Sequence, residues 1–519
     1  MPDRAELAAL ARSVFCVGFA GSAPAALPLA QLREFGPGGV ILFARNIGAA
    51  SELRAAVTAL RGVSTLPPLV AVDQEGGRVA RIADPALVAA LPSAMALGAG
   101  SDAAQCRRAG TLVGRDLARL GFSVDFAPCA DLALDPRNTV IGNRSFGAAP
   151  QAVAERCAAF ARGLEAGGVA AAIKHFPGHG ATAVDSHTAL PRITVDAATL
   201  RGRDLAPFAA AIDGDAAAIV MTAHIVVEAL DPHAPATLSA AVLTGLLRGD
   251  LGFRGVIATD CLEMDAIAGT VGTSAGAVRA LAAGADLLLM SHSLERARAA
   301  ADAIVTAVGD GSLAFARLES AARNVRGLRE RYAVPEPYAG DVDPHLGLAA
   351  AQRAVTLVRG DVRLRGDRPV TVVSFEGSMF DGAGEPRAAT PSLSAALRAR
   401  RFKSEIMRVA LEPDADDLAL LLAHLPALGE RNFVVVMRRA QLFAAQRAAI
   451  ERIVALLPDA VLISAREPFD AALFAAARNV ACIYGDEAVS FEGCADVLSA
   501  RITAGGRLPV PIDRDAALR

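Results

Sequence analysis

Between Lys174 and His187 the chain gathers a cation, three imidazoles (His175, His179 and His187) and a carboxylate (Asp185) within fourteen residues. The apolar run before it, Val169–Ile173, reads as a buried parallel strand. Pro177, Gly178 and Gly180 then break any regular structure. Lys174 and His175 are thus expected where a strand ends, and His179, Asp185 and His187 on the loop that follows. The chain has 52 basic residues, and only Lys174 and Lys403 are lysines. A sequence that writes Arg almost everywhere has kept a Lys here, which points to a need for a compact ammonium rather than a planar fork.

Other residues have chemistry open to them. Asp260 closes the apolar run Gly255–Thr259. A carboxylate there, facing cations from other strands, stays ionised and serves as nucleophile or charge stabiliser; its other reading is a helix N-cap for a segment starting at Leu262. His187 lies two residues after Asp185, and a carboxylate beside an imidazole fixes its tautomer and raises its basicity, as a proton shuttle requires. The alternative is a surface loop histidine beside an Asp cap. Gly76 and Gly77, after Asp73, Gln74 and Glu75, allow a sharp turn and close approach to a ligand, but no phosphate-loop pattern occurs. Arg78, Arg81 and Arg144 suit hydroxyl or carboxylate clamps, or else surface ion pairs. The spacing of His175 and His179 runs through Pro-Gly, so no helix puts both rings on one face, and no metal is expected.

The elements that must position these groups are legible as alternation. Eight apolar runs, at residues 14–19, 39–43, 68–72, 122–126, 169–173, 217–222, 255–259 and 285–290, are separated by amphipathic segments such as 51–61, 103–120, 150–167, 205–212, 240–249 and 274–282. Alternation of strand and helix argues a parallel sheet, and eight such units argue a closed (β/α)8 TIM-type barrel. That fold demands chemistry at the carboxyl ends of its strands. The third run ends in Asp73, Gln74 and Glu75; the fourth leads to Asp131 and Arg144; the fifth ends in Lys174 and His175, the sixth in His224 and the seventh in Asp260. A helix over 314–331 closes the barrel. The expected division is a catalytic barrel over 1–333, a Pro/Gly/Asp linker over 334–350 and a smaller α/β layered sandwich domain over 351–519.

At 519 residues, two or three domains are expected. A hydrophobic content of 53% excludes a disordered chain, and a net charge of -3 gives no footprint for nucleic acid. No apolar run reaches membrane-spanning length. Residues 14–20 imitate a signal peptide, but the acidic residues before them favour a strand. Seven scattered cysteines without a CxxC pattern fit reduced thiols and a cytoplasmic address.

The segment 174–180 followed by Asp185, Ser186 and His187 resembles the signature of glycoside hydrolase family 3, in particular its β-N-acetylhexosaminidase branch. Residues 72–79, 140–147 and 255–264 are similar to further motifs of that family, in the same order. The resemblance implies a retaining exo-β-N-acetylglucosaminidase that needs no cofactor. By it, Asp260 is the nucleophile that forms a glycosyl ester. His187 is the acid/base, paired with Asp185, and Asp73, Arg81, Arg144, Lys174 and His175 hold the sugar. Where the family has a second acid after the nucleophile, this chain has Cys261. A histidine in place of the usual second carboxyl suits a loop that closes to deliver a proton and reopens.

The C-terminal part resembles, more weakly, the layered domain of longer family members. It is expected to shape the cleft or a partner surface without being essential to the chemistry. The implied substrates are muropeptides or chitin oligosaccharides, acted on by a monomer or homodimer with no nucleic-acid or membrane partner. The alternatives on the same scaffold are a β-glucosidase or a β-N-acetylglucosaminide phosphorylase.

Overall fold

The computed structural model describes residues 2–21, 26–182, 190–334, 340–377 and 391–513, with 515 and 518. Asp185 and His187 therefore lie outside the described residues.

Eight strands form a closed parallel barrel: β1 (Phe15–Val17), β2 (Gly39–Ile41), β3 (Leu69–Val72), β4 (Val124–Asp125), β5 (Ala170–Phe176), β6 (Ile219–Thr222), β7 (Val256–Cys261) and β8 (Leu287–Met290). Each hydrogen-bonds to its chain neighbours, and β1 closes the ring on β8. All eight fall within or across the apolar runs of the sequence. Helices fill the connections, among them Ala50–Arg61, Ala103–Leu120, Pro150–Gly167, Thr273–Ala283 and Phe315–Tyr332. Ala103–Leu120 starts at an Asp102 capping box and stops at Gly121 in the left-handed region, so both ends are satisfied locally.

The strands divide their side chains between two cores with the two-residue period of extended chain. Phe15, Val17, Val70, Val72, Ala171 and Ile173 pack outward under the helices. Cys16, Leu69, Ala71, Ala170, Ala172, Val256 and Ala258 fill the barrel interior. Continued by the same period, 69 and 71 lead to Asp73, 170 and 172 to Lys174, and 256 and 258 to Asp260. Three separate strands thus deliver polar side chains to the barrel mouth as the next inward-facing position.

Strand β5 is longer than the sequence suggests. It runs on through Lys174 and His175 to Phe176, because residues after β4 keep pairing with it: the Lys174 N–H donates to Pro128 O at 3.2 Å and the Ala130 N–H to Lys174 O at 2.6 Å. The site cation therefore sits on sheet, not on loop.

The second domain is a six-stranded sheet of β9 (Thr356–Arg359), β10 (Val370–Glu376), β11 (Ser404–Ala410), β12 (Asn432–Met437), β13 (Val461–Ser464) and β14 (Asn479–Cys482), in the order β9-β14-β13-β12-β10-β11. Only β9 is antiparallel to its neighbour. Alternate residues again feed separate cores, Val373, Val435 and Leu462 on one face and Val372, Val434 and Ile463 on the other, which is the pattern of a sheet covered on both sides. A helix over Leu346–Ala354 occupies the end of the segment read as linker and packs between the barrel-domain helix Ala94–Gly100 and the second-domain helix Ala488–Leu498. At its first turn a Cβ on Gly347 would stand 1.7 Å from Ala90 O, so the close seating of this helix requires glycine there.

Candidate active site

At the carboxyl ends of β3, β4 and β5 the polar side chains form one connected network. Lys174 Nζ lies 2.7 Å from Asp73 Oδ1 and 2.7 Å from Glu75 Oε1. Glu75 also accepts two hydrogen bonds from Arg144, from Nε at 2.9 Å and from Nη2 at 2.7 Å. Arg81 Nη2 stands 3.5 Å from the other oxygen of Asp73. Asp73, Arg81, Lys174, Arg144 and His175, five residues scattered over about a hundred positions of sequence, thus meet in one place. The backbone turn that allows this is the short hairpin of Gln74–Gly76 with Val79–Ala80, pinned by the Gln74 amide, which exchanges two hydrogen bonds with Ile82.

Buried charges persist only when paired and hydrogen-bonded, and the network satisfies that condition. Burial pushes the carboxyl pKa of Glu75 up, but Arg144 and Lys174 outweigh it and hold the group well below the usual carboxylate range. Asp73 is likewise lowered, by Lys174 and Arg81 acting against burial. The Lys174 ammonium is raised by the two carboxylates despite its own desolvation. The site is therefore a fixed lattice of charge with rigid donors and acceptors at its open side.

Asp131 organises the other half. Its Oδ2 accepts from the His175 backbone N–H at 3.1 Å and lies 2.6 Å from His175 Nδ1, while its Oδ1 accepts from the His179 N–H at 2.6 Å. One buried carboxylate thus folds the segment from His175 to His179 around itself. His175 Nε2 is 3.3 Å from Arg144 Nη2. A guanidinium only donates, so Nε2 accepts and the ring proton sits on Nδ1, facing Asp131. The two imidazoles and the His179 N–H outweigh burial at Asp131 and lower its pKa to about 2. His179 itself is desolvated, which lowers its pKa to about 4 and keeps it neutral. Thr182, the last described residue before the segment that carries Asp185 and His187, places its hydroxyl 2.8 Å from His179 Nδ1.

Asp260 belongs to the same mouth, where its charge acts on His179. It is the penultimate residue of β7, half-buried, with Oδ1 accepting the Cys261 N–H at 2.7 Å. It is not a helix cap: the next helix, Asp265–Ala268, begins after Met264 and has no side-chain cap. The turn that carries it is braced from beneath by His224. That fully buried ring lies 2.9 Å from Cys261 O through Nε2 and 2.8 Å from the Thr237 hydroxyl through Nδ1, and Thr222 Oγ1 is 2.8 Å from the same hydroxyl. The Cys261 carbonyl can only accept, so Nε2 donates to it, and the Thr237 hydroxyl also donates to Ala223 O at 2.9 Å. Cys261, the next residue, is a desolvated thiol with its pKa raised to about 11.

Three carboxylates carry more of the site than the sequence reading gave them. Glu75 and Asp131 are the hubs just described, and Asp125 was hidden inside an apolar run. Its Oδ1 accepts the Gln74 N–H at 2.9 Å, its Oδ2 is buried without a hydrogen bond, and burial raises its pKa to about 8. An acidic residue inside an otherwise buried strand was the available signal, since such a group must be paired or neutral. Among the described residues, Cys129, Asp131 and His175 bring three possible metal-ligand atoms within 4.8 Å of one another. Their donors and acceptors are already engaged with each other, with the Cys129 Sγ donating to Asp131 at 3.2 Å, and Arg144 sets a fixed positive charge against the His175 ring. The cluster works as a hydrogen-bonded scaffold.

Residues 24–328 match the model of the glycosyl hydrolase family 3 N-terminal domain. Among similar proteins, the chain is 38% identical to the Pseudoalteromonas piscicida beta-hexosaminidase A over 278 residues, which are 50% of this chain and 46% of that one. It therefore spans about half the length of that relative. It is 39% identical to the Alkalilimnicola ehrlichii beta-hexosaminidase over 262 residues, 50% of this chain and 74% of that one. Among solved structures, a glycoside hydrolase family 3 beta-N-acetylglucosaminidase from Paenibacillus sp. strain FPU-7 is 34% identical. It superposes with a TM-score of 0.89, covering 98% of this chain and 99% of that one.

Proposed function

We propose that this chain, which belongs to glycosyl hydrolase family 3, is a glycosidase, and specifically a retaining exo-β-N-acetylglucosaminidase. The observation that carries this reading is the convergence of Asp73, Arg81, Lys174, Arg144 and His175 at one barrel mouth with Asp260. A sugar ring presents hydroxyls that both donate and accept, and here carboxylate acceptors alternate with ammonium and guanidinium donors. Held by these groups in near-attack geometry, the anomeric carbon needs only a nucleophile and a proton source.

In this mechanism Asp260 attacks the anomeric carbon as the glycosidic C–O bond breaks. His187 gives its proton to the departing oxygen, and a glycosyl ester on Asp260 results. Water then attacks the same carbon and loses a proton to the His187 imidazole, and the ester bond to Asp260 breaks. Two displacements at one carbon return the starting anomeric configuration. Asp185, beside His187, orients the imidazole and stabilises its charged form. Both residues lie on the segment that follows Thr182, whose hydroxyl touches His179.

The proposed substrates are muropeptides or chitin oligosaccharides with terminal N-acetylglucosamine. The proposed setting is the cytoplasm, with the chain as a monomer or homodimer; no helix among the described residues is long and apolar enough to cross a membrane. Turnover of nitrophenyl β-N-acetylglucosaminide against the glucoside, each with and without phosphate, tests the reading. A faster N-acetylglucosaminide reaction that ignores phosphate supports it. Preference for the glucoside, or a sugar phosphate as product, would replace it with one of the two alternatives.

A further inference from the structure

We propose that the second domain is a working part of the sugar site: its Glu467–Arg439 pair clamps the segment 139–143 and so positions Arg144. Arg439 follows β12 and Glu467 follows β13, at the carboxyl edge of the second sheet. Both are buried, and they form a bidentate pair, Nε to Oε2 and Nη2 to Oε1, each at 2.8 Å. The pair then reaches across to the barrel domain. Glu467 Oε1 accepts the Asn143 N–H at 3.1 Å, and Arg439 Nη2 donates to Thr139 O at 3.2 Å. Gly142 makes the approach possible: its φ is +43°, and a Cβ there would stand 2.1 Å from Glu467 Oε1. The Asn143 side chain completes the hold, donating to Tyr484 O at 2.9 Å and accepting from Arg78 Nε at 3.2 Å.

The residue after this clamp is Arg144, whose guanidinium meets both Glu75 and His175. Arg144 is thus fixed at its side chain by the barrel and at its backbone by the second domain. Glu467 is held ionised well below the usual carboxylate range, because Arg439, Arg466 and the barrel's own Arg78 outweigh its burial. A buried charge whose partners span two domains is costly to separate, so the clamp resists opening. Glu467 touches no reacting atom and acts through Arg144; it is a positioning residue. This gives the second domain more than the shaping role read from the sequence.

The sugar-positioning half of the proposal rests on the function proposed above, and the test has one arm that does not. In the full chain, Glu467→Gln keeps the shape and removes the charge. Amide exchange across 138–145 is expected to quicken by roughly tenfold or more, as a buried charge-assisted contact is lost. Unchanged exchange would overturn the clamp whatever the enzyme's activity. On nitrophenyl N-acetylglucosaminide, kcat/KM is expected to fall about tenfold. In an Arg144→Ala or Arg144→Lys background the same substitution is expected to cost less than about twofold, since residues acting through one another are not additive. An equal loss in both backgrounds would reduce Glu467 to a structural contact and overturn its role in positioning. A wild type with no turnover of N-acetylglucosaminides counts against the functional reading, while the exchange arm still decides the clamp.

Discussion

Lys174→Met is the substitution for which the charge lattice makes its firmest demand. The ammonium is 2.7 Å from one oxygen of Asp73 and 2.7 Å from one of Glu75. Without it Glu75 keeps two bonds from Arg144, but among the described residues the Asp73 carboxylate keeps only Arg81 at 3.5 Å. Removing one partner of a buried ion pair costs about 3–5 kcal/mol. At about 2 °C per kcal/mol for a domain of this size, the barrel transition should fall by about 6–10 °C at pH 7. The pH dependence has a definite sign. In the wild type, Asp73 and Glu75 have lowered pKa values, so their contribution is full above the usual carboxylate range and is lost as the pH drops below it. In the variant, burial dominates at Asp73 and raises its pKa, so the variant regains stability as that group takes up a proton. The gap between the two proteins should therefore narrow from pH 7 to pH 4 in thermal unfolding followed by circular dichroism. A drop under about 2 °C at pH 7, or a gap that stays constant or widens toward pH 4, would show that Lys174 does not hold the two carboxylates ionised.

Three other outcomes are expected. His187→Ala should lower kcat/KM for alkyl N-acetylglucosaminides by about 100-fold or more while sparing kcat/KM for nitrophenyl substrates, whose leaving group needs no proton, although kcat falls on both because ester hydrolysis loses its base; equal losses of kcat/KM on both would remove His187 as the acid. Asp125→Asn should flatten the decline of stability with pH. A carboxyl raised to about 8 in the fold costs the wild type up to about 1.4 kcal/mol per pH unit between its unfolded pKa and 8. Melting at pH 5 and pH 8 reads this, and parallel declines would contradict it. His224→Phe removes the donor to Cys261 O and should lower kcat by about tenfold with KM little changed, as measured in steady-state kinetics; an unchanged kcat would leave His224 a packing residue.

The barrel was legible because its signal is simple. Eight apolar runs at strand length, each followed by a helical pattern, leave few other folds, and the two-residue period places Asp73, Lys174 and Asp260 on one side of the sheet. Their meeting at one mouth follows from closure, which a sequence implies only through the count of units. What stayed hidden depends on contacts between distant segments. Glu75 and Asp131 look like ordinary loop acids until Arg144, Lys174 and His175 are seen around them. Strand β5 reads as ending at Ile173, because its extension through His175 is decided by pairing with residues 128–130, not by local composition. Glu467 could not have been linked to Asn143 at all, since 324 residues separate them.

In the proposed mechanism Asp260 bonds covalently to the sugar. An activated, ring-fluorinated N-acetylglucosaminide, in which the electron-withdrawing fluorine slows release of the glycosyl enzyme, tests it by intact mass and peptide mapping. One added sugar per chain is expected, carried on Asp260, with no adduct in Asp260→Ala. An adduct on another side chain, or rapid turnover by the Asp260→Ala protein, would contradict the mechanism.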